Sequence, residues 1–297
     1  MLRFDPTELR KYGGLTLIAR HIVEGFLTGV HRSPYKGFSV EFAEHRQYSP
    51  GDEIRHIDWR AVGKTDRYYV KEYEEETNLK AYLVVDASGS MAYRGSKKAL
   101  SKFEYAQHVA ASLAYLMLQQ MDAVGLITLD TKVRSLIPPK ASPKHLLQVL
   151  TTLEKTAPGG ETAMSPMLHE LAGHHLKRRG LVIILSDFFD KLDSLVKGLQ
   201  HLRHRNHEVV LLHVLAPEEM DFPFKRLTQF RNLETRDNKV LVDTRRLRED
   251  YLHNFEAFRR ELKERVGKLH VDYHLLKTND PVDRALGVYL SRRQRTI

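Results

Sequence analysis

Leu79-Lys80-Ala81-Tyr82-Leu83-Val84-Val85-Asp86-Ala87-Ser88-Gly89-Ser90 is the stretch on which the fold turns. It is an apolar, β-prone run that stops on an aspartate and gives way to small and hydroxylated residues. A helix is expected next, over about Lys102 to Gln120. Ser101 and Glu104 form a capping-box pattern at its start. Phe103, Ala106, Ala110, Leu113 and Met117 recur at intervals of three and four, which makes one face apolar.

The same alternation continues outward. Ala123 to Leu129 reads as a strand, with a short strand at Lys132 to Ile137 hairpinned to it and closed by Pro138-Pro139. Pro143 to Glu154 reads as a helix, Pro158-Gly159-Gly160 as a loop and Met164 to Lys177 as a further helix. Leu181 to Leu185 is a third strong strand ending at Ser186-Asp187, followed by a helix at Leu192 to His204 and a buried strand at Glu208 to Leu215. Arg226 to Glu234 and Lys239 to Val242 suggest an added β-hairpin across Asp237-Asn238. A long helix is expected over Thr244 to Val266, a last strand over Leu269 to Leu275, and a helix start at Asp280-Pro281, with proline at the first position.

Apolar strands separated by helices imply an α/β fold: a doubly wound, mostly parallel sheet with helices on both faces. Ligands of such sheets sit beyond the carboxyl ends of the strands, where the strand order switches. Residues 1–78 behave differently. Short helices are expected at Pro6 to Arg10 and Leu15 to Gly25, and strands at Phe38 to Phe42 and Tyr68 to Tyr73. This segment reads as an N-terminal extension packed on the α/β domain of residues 79–297.

Composition narrows the classes of function. The chain of 297 residues is 42% hydrophobic, enough for a full core, and has no cysteine, which excludes disulfides, thiolate metal ligands and cysteine nucleophiles. The opening Met1-Leu2-Arg3-Phe4-Asp5-Pro6 lacks a signal-peptide core, and no apolar run approaches the ~20 residues of a bilayer span. A cytoplasmic location is expected. The net charge is +9, with the densest basic groups at Lys177-Arg178-Arg179, Arg245-Arg246 and Arg292-Arg293-Gln294-Arg295. Each lies in or beside an expected helix and reads first as a solvated face.

Three strand ends or adjoining loops carry oxygen donors: Asp86 with Ser88 and Ser90, Thr162 in the Gly159-Gly160-Glu161-Thr162 loop, and Asp187. Carboxylates and hydroxyls are hard donors that suit one divalent cation, Mg²⁺ first, with Mn²⁺ and Ca²⁺ as alternatives. Ser88 and Ser90 stand two apart in a tight turn, so both hydroxyls can face one point. Gly89 is read as letting the backbone curl between them. Asp86 and Asp187 can hold coordinating waters, and Thr162 closes the ring. Two carboxylates and three neutral hydroxyls leave the cation under-neutralised with an open position. An acidic side chain from a protein partner would fill it.

This set, Asp86-x-Ser88-x-Ser90, a Gly-Gly-x-Thr loop and Ser186-Asp187 at a later strand end, resembles the metal-ion-dependent adhesion site of von Willebrand factor A domains. The run Arg46-Gln47-Tyr48-Ser49-Pro50-Gly51-Asp52-Glu53-Ile54-Arg55-His56-Ile57-Asp58-Trp59-Arg60, with Tyr69-Val70-Lys71-Glu72-Tyr73-Glu74 after it, resembles the bacterial family called domain of unknown function 58 (DUF58). The resemblance covers roughly residues 35–190 well. It implies a von Willebrand factor A-like fold and a partnership with a MoxR-type AAA+ ATPase or its client. Many members of the family carry N-terminal membrane helices, for which this sequence has no candidate. Glu161 is a departure, since a small residue is more usual before the loop threonine.

Bland roles are assigned to several other features. Trp59, the only tryptophan, is expected to pack the extension onto the sheet, with Asp58 paired to a nearby arginine. His174-His175, His201, His204 and His207 read as parts of solvated basic helices. Catalysis is not expected. Ser88 stands where a phosphatase with the aspartate nucleophile at Asp86 would need its second acid. No Gly-x-Ser-x-Gly elbow, Walker loop or dinucleotide-binding glycine motif is present. The leading expectation is a metal-dependent protein-interaction module acting in the assembly or maturation of a client complex, with no nucleic acid involved. The competing class is a nucleic-acid or acidic-surface binder working through the basic faces.

Overall fold

The computed structural model describes residues 14–31, 46–47, 69–70, 80–96, 98–234 and 239–287. The expected elements at Pro6 to Arg10 and Phe38 to Phe42, Trp59 with the Arg55 to Arg60 run, the Asp237-Asn238 turn and the Arg292 to Arg295 group lie outside them. The chain divides into two compact units, Leu27–Asn78 on the one hand and Met1–Phe26 with Leu79–Ile297 on the other. In the smaller unit β1 (Arg46–Gln47) pairs antiparallel with β2 (Tyr69–Val70). The strand near Tyr68 is therefore present, and its partner at Arg46 was not anticipated.

Helix α1 (Leu15–His31) is longer than the expected Leu15 to Gly25. Its buried residues Leu15, Ile18, Ala19, Ile22 and Val23 follow the three-and-four spacing of one helix face. The Leu15 amide donates to the Glu154 carboxylate, which supplies one of the orphan donors of the first turn with an acceptor.

The larger unit is built on a six-stranded sheet in the order β10-β7-β6-β3-β4-β5. The strands are β3 (Lys80–Asp86), β4 (Ala123–Leu129), β5 (Val133–Lys140), β6 (Leu181–Ser186), β7 (Glu208–Leu215) and β10 (Asp272–Lys277). All neighbours are parallel except β4 and β5. The chain adds β4 and β5 on one side of β3, then crosses back to lay β6, β7 and β10 on the other. The switch in strand order thus falls between β3 and β6, which places Asp86 and Ser186 side by side.

Both faces of the sheet are covered. Tyr82, Val84, Val182, Ile184, Val209 and Leu211 pack with Leu168 of α4 (Met164–Glu170), Leu195 and Leu199 of α5 (Leu192–His204), and Leu262 and Val266 of α7 (Thr244–Gly267). The intervening residues Ala81, Leu83, Val85, Ile183 and Leu185 face the other way and are also buried. Over the central strands lies α2 (Lys102–Gln119), its start fixed by the reciprocal Ser101 and Glu104 capping box. Truncating any of these buried leucines to alanine carries a cost of about 2–5 kcal/mol.

Strand β5 corrects one expectation. It does not stop at Ile137 but runs through Pro138 and Pro139 to Lys140. It is an edge strand bonded only to β4, so the missing proline N–H groups cost no ladder bond on the open side. Gly125 makes room for it: a Cβ there would lie 2.7 Å from the Ile137 carbonyl oxygen. Three further elements complete the fold. Helix α3 (Pro143–Lys155) follows β5, and the short α6 (Pro217–Asp221) was not anticipated. The hairpin of β8 (Leu227–Arg231) and β9 (Lys239–Asp243) is as expected.

Candidate functional site

The polar residues at the switch point sit on loops, two of which interlock through their backbones. The Ala87 amide continues the ladder onto Leu129 O at 2.7 Å. Gly159 N donates to Ala87 O at 2.9 Å, and Gly89 N donates to Gly160 O at 2.8 Å. The glycine loop is therefore stitched to the loop after β3. Gly160 adopts φ +84°, the left-handed region that glycine favours. Arg134 clamps the same loop from β5. Its Nε donates to Asp130 at 2.6 Å, one terminal nitrogen to Ala157 O at 2.6 Å, and the other to Gly159 O.

Gly89 is glycine for a reason other than the one expected. Its φ is not positive, and among the described glycines only Gly160 has that conformation. It lies in a 3-10 turn, Gly89–Ala92, and a Cβ on it would lie 2.5 Å from Leu233 O and 2.9 Å from Gly160 O. Space, not curl, demands it.

Asp86 is buried and uses both oxygens: Ser88 N donates to Oδ1 at 2.9 Å and the Ser186 hydroxyl donates to Oδ2 at 2.6 Å. Ser88 Oγ and Ser90 Oγ are 3.1 Å apart, within hydrogen-bond distance of each other. Asp187, also buried, is engaged by a cation that sequence reasoning missed. Lys102 Nζ lies 2.7 Å from its Oδ2 and 2.6 Å from Glu219 Oε1, and the lysine side chain is 1% exposed. Lys102 is the first residue of α2 and Glu219 belongs to α6.

The two aspartates differ electrostatically. Burial, and then the charge of Asp187, push Asp86 up to about 6. Burial acts the same way on Asp187, but the adjacent Lys102 ammonium outweighs it and holds the carboxyl below its usual range. Burial opposes the charge on Lys102, yet Asp187 and Glu219 keep it protonated more firmly than an ordinary lysine. His213, fully buried, is pushed down to about 3, chiefly by that burial.

Thr162 is placed differently. It is half-buried and does not cap α4, whose cap position is Ala163. Its hydroxyl donates instead to Glu234 Oε1, from the loop after β8. Glu161 is exposed. Asp190 has a structural task, accepting from Ser165 N at 2.9 Å and Ser165 Oγ at 2.6 Å at the start of α4. Among the described residues no group of three or more His, Cys, Asp and Glu side chains is arranged to hold a metal, so the histidines form no such site. A cation here would rest on the mixed hydroxyl and carboxylate set. The chemistry of that set suits one: all its donors are oxygen, and the hydrogen bonds to the Asp86 carboxylate come from an amide and a hydroxyl.

The sheet order and its polar switch point define a von Willebrand factor A-like α/β fold. The chain belongs to the family described as "Protein of unknown function DUF58", whose model matches residues 44–261. Uncharacterized proteins of Mycobacterium tuberculosis and Mycobacterium bovis are each 26% identical over 222 residues, covering 74% of this chain and 68% of the relative. Among solved structures, an aerotolerance-related membrane protein of Bacteroides fragilis superposes with a TM-score of 0.50 at 16% identity, covering 72% of this chain and 97% of that one. BatB of Bacteroides thetaiotaomicron gives 0.49 at 14% identity, covering 73% and 99%. A von Willebrand factor type A protein of Catenulispora acidiphila gives 0.37 at 16% identity, covering 46% and 33%. No described helix of the present chain is long and apolar enough to cross a membrane.

Proposed function

We propose that this chain is a protein-interaction module whose switch-point site takes one divalent cation, Mg²⁺ before Mn²⁺ or Ca²⁺, and uses it to grip an acidic side chain of a protein partner. Ser88, Ser90 and Thr162 would offer hydroxyl ligands. Asp86 and Asp187, each already accepting from the protein, would act mainly by holding waters and balancing charge. The bound cation would supply an attraction for carboxylate that no neutral surface has.

The observation that carries the reading is the 3.1 Å separation of Ser88 Oγ and Ser90 Oγ above two buried aspartates. Adjacent ligands of six-coordinate Mg²⁺, each about 2.1 Å from the metal, lie about 3 Å apart. The serines thus stand where two such ligands would stand. Membership of DUF58 and its resemblance-based link to MoxR-type AAA+ ATPases make such an ATPase or its client the partner to test first, in assembly or maturation of a complex. Isothermal titration should find one Mg²⁺ or Mn²⁺ site in the wild type and none in Asp86→Ala. Capture of the ATPase should then need the metal and fail in EDTA. Equal metal binding by the two proteins would refute the reading, and capture lost to salt but not to EDTA would favour the basic faces.

A further inference from the structure

The hairpin β8–β9 looks at first like an appendage. Both strands are largely exposed, including Leu227, Val240 and Leu241. Its base is tied down by the Thr244 hydroxyl, which donates to Arg226 O at 2.8 Å, and near the far end of β8 Phe230 packs edge-on to Phe224, 5.2 Å between centroids. Its far end, Asn232-Leu233-Glu234, does something more specific. The carbonyl of Leu233 closes over Gly89 so tightly that no side chain fits there. The next residue, Glu234, accepts a hydrogen bond from the Thr162 hydroxyl. Asn232 Oδ1 accepts from Glu234 N at 2.8 Å and fixes the turn that presents the acid. Consecutive residues of one loop therefore touch two of the three loops that make up the candidate metal site.

We propose that Glu234 is the resident acid of that site: a carboxylate of the chain itself occupying the position a partner's acid would take, so that a partner must displace it to bind. The proposal rests on the metal-site reading above and deepens it. The chemistry is direct. Thr162 donates a hydrogen bond to Glu234 and keeps its oxygen lone pairs, so the contact survives when that oxygen ligates a cation. A hydrogen-bonded pair of oxygens and a pair of adjacent metal ligands are both roughly 3 Å apart or less, so Glu234 need move little to become a ligand itself. Being intramolecular, it competes at an effective concentration on the order of mM. Weak or non-specific acids are thereby excluded, and only a partner with further contacts succeeds. Such a displacement would loosen Asn232 to Glu234, the residues beyond the Phe230 packing on Phe222 and Phe224.

Mn²⁺ alone serves as the probe, with the full chain. Its affinity is read from the resonance of the free ion, the number of metal-bound waters from water-proton relaxation, and the hairpin by hydrogen exchange. Glu234→Gln should weaken Mn²⁺ binding roughly tenfold and raise the relaxation enhancement per bound ion, because water enters the vacated position. Mn²⁺ should slow exchange across Thr228 to Glu234 in the wild type and not in the variant. Glu234→Asp, which keeps the charge but shortens the reach, should fall between them. If the wild type binds Mn²⁺, Asp86→Ala does not, and Glu234→Gln matches the wild type in affinity, relaxation and exchange, then Glu234 is no ligand and the site reading stands without it. If the wild type binds no Mn²⁺ at all, both ideas fall together.

Discussion

The ends of β3 and β6 lie side by side, and each delivers a buried aspartate to the same small volume, yet the two are stabilised by different means. After β3, Asp86 is surrounded by neutral donors: an amide, a serine hydroxyl and a turn stitched by backbone hydrogen bonds. Its carboxyl is pushed up to about 6 by burial and by its neighbour. After β6, Asp187 is answered by a full positive charge, Lys102, brought in by the first turn of α2. Burial therefore does not decide a carboxylate's state; the presence of one ammonium does. A cation arriving at the site would find Asp187 already paired with Lys102 and Asp86 held, among the described residues, by neutral donors.

Removing the ammonium should break this contrast most severely. Lys102→Met leaves Asp187 and Glu219 buried together with no counter-ion, and losing one partner of a buried pair costs about 3–5 kcal/mol. Urea unfolding in EDTA should show that loss. Adding Asp187→Asn and Glu219→Gln to Lys102→Met should recover a large part of it, because neutral partners need no counter-ion. If Lys102→Met alone is as stable as the wild type, the ion pair does not organise the β6 end.

The β3 end should break through its backbone instead. Gly89→Ala places a methyl against the Leu233 and Gly160 carbonyls. Overpacking of this kind costs about 1–3 kcal/mol. The more exposed neighbour is the hairpin, so hydrogen exchange should quicken over Thr228 to Leu233 while β3 itself is unchanged. A melt and an exchange pattern identical to the wild type would show that the approach of Leu233 is not a constraint.

Protonation sharpens the comparison further. His213, beneath the β6 end, is pushed down to about 3, mainly by burial, from an unfolded value of about 6.5. Between those values the unfolded chain binds a proton that the folded chain refuses. The stability His213 contributes is thus complete above about 6.5 and is lost as the pH falls, by up to about 1.4 kcal/mol per pH unit. Asp86 has the opposite sign: as pH falls through about 6, the folded chain takes a proton before the unfolded chain does, and stability rises. In EDTA the two slopes oppose each other between about pH 6 and 4. The wild type should be flat there, and His213→Gln should gain stability toward acid. The stability difference between the two proteins, measured by urea at several pH values, should shrink as pH falls. A constant difference would mean that His213 is charged in the folded state or that its burial is relieved.

How much of this was legible in the sequence follows the range of the interactions. The strands, the α2 capping box, the α7 helix and the β8–β9 hairpin were readable because period and local chemistry specify them. So was the grouping of Asp86, Ser88 and Ser90, two residues apart on one turn. Lys102 was not, because the carboxylates that make it a buried ion lie at Asp187 and Glu219, 85 and 117 residues away. Nor was Glu234, whose partner Thr162 is 72 residues distant and on another loop. The edge-strand prolines misled for a related reason: proline ends a central strand, and only the sheet order reveals that β5 has an open side.

The third loop supplies the smallest expected effect and a control on the other two. Two acids lie near Thr162, Glu161 beside it in sequence and Glu234 beside it in space. Sequence alone offers only Glu161, a departure from the usual small residue and not counted among the expected ligands. The structure leaves Glu161 exposed and gives the threonine's hydroxyl to Glu234. An exposed carboxylate without such a contact interacts through high-dielectric solvent, where its influence is weak and screened by salt. Glu161→Ala should therefore change stability by no more than about 0.5 kcal/mol. It should also shift Mn²⁺ affinity less than twofold, about the same in free energy. The measurement is a paired titration of Glu161→Ala and Glu234→Gln at low and at physiological salt. If Glu161→Ala proves the more damaging of the two, and the damage survives in salt, then the acid that matters at this loop is the neighbour in sequence and not the neighbour in space.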